Sequence, residues 1–183
     1  MFDFFTSAIP NYKNPGLIYL LKVFIMGVWV DLLSFTPTEA LPNQIPDLLT
    51  DLFEFLNSGI DNESRSTIVI QIGTLVLNYM KDNIIPVMGI LANMAANPDE
   101  CIKVREESVI QFANLMTAGA ELINDNNVEI LLQMSQVFSI QSSNFGDYCI
   151  KLIQVAKFAY ENKINDQLIQ NFSEYIVGLI REN

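Results

Sequence analysis

Any chemistry in this chain has to come from carboxylates, carboxamides, hydroxyls and thiols, because its 183 residues include no histidine. That absence removes His-dependent nucleophile triads, His-ligated zinc and the usual group that titrates near neutral pH. Paired acids occur at Asp99-Glu100 and Glu106-Glu107. Such pairs serve glycosidases or hold magnesium when they converge on a pocket, whereas here their setting predicts polar helix faces and linkers. Ser135, Ser139, Ser142 and Ser143 have no base beside them in sequence, and neither a glycine-rich phosphate loop nor a dinucleotide fingerprint occurs. Cys101 and Cys149 lie among apolar neighbours without close spacing, which predicts reduced, buried thiols rather than a bridge or a metal pair. The expectation is therefore of no catalytic residue, no cofactor and no metal site.

Recognition chemistry is easier to place. Asp47, Asp51 and Glu54 stand at i, i+4 and i+7 in a leucine-rich stretch, so they share one helical face opposite the leucines. They are candidates to dock lysines or arginines, with an ordinary solvated face as the alternative. Asn78 and Asn114 close two apolar segments. A carboxamide donates and accepts at once, so each is a candidate to hold a partner's backbone, or else caps a turn or faces water. Acids outnumber bases 21 to 10, for a net charge of −11, and they are spread along the chain. A field of that sign repels phosphate backbones and favours basic partners or plain solubility. Nucleic acid is not an expected partner.

The elements that would position these residues show themselves by recurrence. Asn83-Ile-Ile-Pro86 opens a stretch in which Ile84, Met88, Leu91 and Ala95 fall on one helical face. Asn43-Gln-Ile-Pro46 opens a similar one, and weaker echoes begin at Asn127 (Val128, Leu131, Leu132, Ser135, Phe138) and Asn165 (Leu168, Phe172, Tyr175, Leu179). Asn43 and Asn83 are predicted to cap their helices by accepting a backbone hydrogen bond, and the turn Asn124-Asp-Asn-Asn127 to provide a cap for the third. The starts are about 40 residues apart, the scale of two-helix repeats. Second helices are predicted over residues 64–80, 104–123 and 145–160. The first of these is β-branched at Thr67-Ile-Val-Ile70, yet Ile68, Ile72, Leu75 and Tyr79 form a helical stripe. Helix is the better reading, with Gly59 as a left-handed exit from the helix before it. A two-helix unit cannot bury its apolar face alone, so such units stack; an irregular bundle is the alternative.

Residues 1–42 are expected to form an atypical N-terminal capping region. Ala8-Ile-Pro10 reads as a worn copy of the repeat start, residues 34–42 as a turn-rich connection, and residues 17–33 as a hydrophobic helix. Its uninterrupted apolar portion, 23–30, is much shorter than the roughly 20 residues needed to span a bilayer. A buried helix is expected, without membrane contact, and no basic region precedes an apolar run in the manner of a signal peptide.

Taken together, these features resemble armadillo and HEAT repeats. Armadillo units commonly open with Gly-x-Ile-Pro followed by leucines, and Asn43-Gln-Ile-Pro46 and Asn83-Ile-Ile-Pro86 are similar to that start. Leu75-Val-Leu-Asn78 and Phe112-Ala-Asn114 resemble the close of the family's long third helix. In the nuclear-import adaptors of the family this asparagine holds the backbone of an extended basic peptide, beside a tryptophan one turn earlier. Here Thr74 and Ile110 stand where those tryptophans would be, and Phe158 replaces the asparagine of the third unit. The resemblance implies an all-α fold, a short right-handed α-solenoid of stacked repeats over residues 43–183. It also implies a non-catalytic module that binds a protein segment, with a basic one as the candidate, in the cytoplasm or alternatively the nucleus. A structural segment of a larger helical-repeat protein, self-associating through terminal helices, and a bundle that binds a small molecule or lipid are the rival expectations.

Overall fold

The structure is a computed structural model that describes residues 45–139, 141–162 and 166–181, together with 24, 27 and 28. The expected cap residue Asn43, the expected helix start at Asn165, the 17–33 helix, the Ala8-Ile-Pro10 copy, the 34–42 connection, the 42/43 boundary and the side chains of Leu168 and Leu179 lie outside the described residues. The described residues form seven α-helices and no strand. They are α1 (Ile45–Leu56), α2 (Asn62–Tyr79), α3 (Ile84–Ala96), α4 (Ile102–Met116), α5 (Asp125–Met134), α6 (Phe145–Glu161) and α7 (Asp166–Arg181). The chain divides into two compact units, residues 1–79 and 80–183.

In the first unit α1 packs on α2. Ile45, Leu48, Leu49, Leu52 and Leu56 are the buried face of α1, and Ile68, Val69, Ile72, Leu75 and Val76 that of α2. Complete burial of one such side chain contributes about 1.5–3 kcal/mol, which outweighs the slight helix disfavour of the β-branched run. Tyr79, expected on the same stripe, is half-buried. Gly59 takes the left-handed conformation (φ 72°) that ends α1. Asp61 then starts α2, its Oδ1 accepting from the Ser64 amide at 3.0 Å and its Oδ2 from the Ser64 hydroxyl at 2.6 Å.

In the second unit α4 is central. It packs against α3, α5 and α6, while α3 also meets α5 and α6 holds α7. Because neighbours surround α4, its buried residues run unbroken from Glu106 to Ala113. Arg105 ties α4 to α3, its Nε donating to the carbonyl of Ala95 at 2.8 Å. A cation is well placed there, among carbonyls left unpaired at a helix C-terminus.

Two capping expectations come out differently. Asn124 caps α5 as a short polar side chain should, its Oδ1 accepting from the Asn127 amide at 3.0 Å. The helix therefore starts at Asp125, ahead of the expected Asn127, whose Nδ2 donates to the Leu122 carbonyl at 2.7 Å. Asn83 stands at the N-cap position of α3 but makes no side-chain capping bond, and a 3-10 turn (Lys81–Asn83) leads in instead. The third residue of α3 is Pro86, so the amide that a capping side chain usually meets there does not exist. A further correction concerns α4, expected to reach residue 123. It ends at Met116, where the Thr117 hydroxyl donates to the Asn114 carbonyl at 2.6 Å, and a 3-10 turn (Ala120–Leu122) follows.

Candidate functional site

The residues put forward for recognition lie in both units. Asp47, Asp51 and Glu54 stand on α1, with Asp47 and Glu54 exposed and Asp51 half-buried. Asn78 is exposed near the end of α2. Asn114 belongs to the second unit, where it is half-buried on α4 and its Nδ2 donates to Gln111 Oε1 at 3.1 Å. Part of its hydrogen-bonding capacity is thus used within its own helix.

That bond leads into a polar seam absent from the expected sites. Gln111 Nε2 donates in turn to Glu107 Oε1 at 2.7 Å, so residues 107, 111 and 114 form a relay at i, i+4 and i+7 along one face of α4. An ionised carboxylate only accepts, so Gln111 presents its NH2 to Glu107 and its oxygen to Asn114. Glu107 is 7% exposed and Glu106 4%. This corrects the expectation of a polar, solvent-facing pair, since α4 is enclosed by three helices of its unit. Burial pushes the Glu107 carboxyl above its ordinary value; the Gln111 hydrogen bond works the other way, and the charges of Asp147 and Glu106 add to the rise.

A second buried polar joint lies where α5 gives way to the 3-10 turn Ser135–Val137. The Tyr148 hydroxyl, on α6, donates to Ser135 Oγ, and that hydroxyl donates to the Leu131 carbonyl. The Tyr148 ring is fully buried and stacks on Phe138, with centroids 4.1 Å apart and planes 7° from parallel. Burial, with Tyr175 alongside, keeps the phenol protonated. The serine hydrogen is committed to a helix carbonyl, so the arrangement fixes α6 against the end of α5 and leaves no base facing the serine oxygen.

Cys101 and Cys149 carry free thiols and are half-buried rather than buried. Burial raises the Cys149 thiol above its usual range, which disfavours a reactive thiolate. Among the described residues, no group of three acids or cysteines converges as a set of metal ligands. No described helix is long and apolar enough to cross a membrane.

Sequence reading named Glu106 and Glu107 as paired acids but missed their burial, and it missed Gln111, Tyr148 and the joint at Ser135. The spacing of Glu107, Gln111 and Asn114 places them on one face of a helix without showing that the face is buried; for Tyr148 and Ser135, 13 residues apart on different elements, no local pattern existed. Compared with known proteins, the chain matches no family model, no curated protein and no solved structure.

Proposed function

We propose that the protein is a non-catalytic interaction module, a short right-handed α-solenoid of armadillo/HEAT-like repeats that binds a basic segment of another protein. The observation that carries this reading is the packing of helices two apart in sequence: α3 lies against α5, and α4 against α6. Stacked two-helix repeats make both contacts, since each helix meets its counterpart in the next unit. The net charge of −11 supplies the attraction, and Asp47 and Glu54 are exposed on α1 to receive lysine or arginine. Asn78 and Asn114 are the proposed backbone contacts. The proposed location is the cytoplasm, with the nucleus as the alternative.

The test is fluorescence anisotropy of an extended lysine- and arginine-rich peptide. Binding should weaken as salt rises and should fall further in Asp47→Lys and Glu54→Lys. No binding, or binding that neither salt nor these reversals alter, overturns the reading.

A second reading, a structural segment of a larger helical-repeat protein, is favoured by one observation. On α6, Ile150, Ile153 and Tyr160 are 53%, 54% and 71% exposed, an apolar stripe suited to a further helix. Concentration-dependent self-association abolished by Ile153→Glu would favour it over the first.

A further inference from the structure

We propose that Glu107 is a proton-sensitive latch in the second unit: buried on α4, the helix that α3, α5 and α6 enclose, it holds that packing most tightly when its carboxyl is neutral. The side chain is almost withdrawn from water and receives a hydrogen bond from Gln111. A carboxylate in that position loses most of its hydration, and one amide does not replace it.

The charges acting on it do not compensate. Asp147, in the first turn of α6, and its neighbour Glu106 are both negative. Helix α3 carries no titratable or charged residue, and α5 brings two exposed acids, Asp125 and Glu129. The turn Ala120–Leu122 adds exposed Glu121, and the turn Ser135–Val137 has no charge. The cations of α4 and α6 are Lys103, Arg105, Lys151 and Lys157. Arg105 donates to the Ala95 carbonyl, Lys151 to Gln154, and Lys157 faces Glu161 at 3.6 Å, while Lys103 is exposed.

The sign follows from the upward displacement of the carboxyl from 4.5. The folded chain binds this proton more tightly than the unfolded chain. The stabilisation is therefore complete below the unfolded value and is lost as pH rises through the folded one. Protonation also frees the relay, because a neutral carboxyl donates as well as accepts; the direction Asn114 to Gln111 to Glu107 is then no longer enforced.

The experiment compares thermal unfolding of the full chain with that of Glu107→Gln between pH 4.5 and 8, using Glu54→Gln as an exposed control for the same change of charge. At pH 8 the Glu107→Gln midpoint should lie roughly 2–4 °C above the unsubstituted chain, and the two should converge towards pH 4.5. Parallel curves, or an equal effect of Glu54→Gln, overturn the proposal. A carbon-detected titration of the unsubstituted chain keeps the test decisive if the variant fails to fold. The Glu107 carboxyl should titrate above 4.5, with the Gln111 and Asn114 side-chain amide signals moving at the same midpoint; a midpoint at or below that value overturns it.

Discussion

Asp61 in the first unit and Glu107 in the second are both hydrogen-bonded carboxylates, yet they depart from their ordinary values in opposite directions. Asp61 is exposed, and hydrogen bonds from the Ser64 hydroxyl and amide hold it below 3.8. Glu107 accepts a similar bond but is pushed upward by burial. A hydrogen bond favours the charged form, and loss of water opposes it. Enclosure of α4 by three helices tips the balance at Glu107, whereas at the start of α2 water remains and the cap decides.

This contrast can be broken by substitution. The largest effect is expected from Gln111→Ala, which removes the amide donor from the buried carboxylate. Loss of a hydrogen bond to a buried charged group costs about 1.5–3 kcal/mol, read by chemical denaturation at pH 7. The cost should shrink towards pH 4.5 as Glu107 is neutralised, so a pH-independent cost would break the assignment of the effect to its charge.

Next comes Asp61→Ala, which should cost about 1 kcal/mol at neutral pH through loss of the cap. Here the sign is reversed. The charge-dependent contribution of a depressed carboxyl is present above its unfolded value and lost as pH falls through the folded one, so the difference between variant and parent should shrink on acidification below 3.8. Asn124→Ala should also cost about 1 kcal/mol, while Asn83→Ala should be nearly silent because its side chain makes no capping bond. Equal costs at the two asparagines would contradict the geometry of Pro86. The smallest effects belong to Asp47→Ala and Glu54→Ala, expected within about 0.5 kcal/mol of the parent by thermal unfolding, even where they weaken a basic peptide.

Much of the helical framework is legible without coordinates. The apolar stripes of α2, α3 and α6 place those helices within a few residues, since burial of one face every 3.6 residues is a local pattern. The stripe of Ile68, Ile72 and Leu75 outweighs a β-branched run that by itself suggests strand. Where reading stopped short, the cause was a competing local group: Pro86 removes the amide Asn83 would meet, and Asn124 reaches the amide of Asn127 before Asn127 can begin a helix.

The candidate site is only partly legible. The acids of α1 read as a face opposite leucines, and Asp47 and Glu54 are exposed. The acids of α4 look alike in sequence but are buried, and no residue near them signals it. Sequence by itself determined, to within a few residues, where the described helices begin, which stripe each hides, and the sign of the field, because these depend on neighbours within a turn or on a sum over the chain. Tertiary structure alone decided that α4 is enclosed, that Glu107 leaves water and that Tyr148 meets Ser135, because burial depends on how many elements converge on a residue, and those elements come from distant parts of the chain.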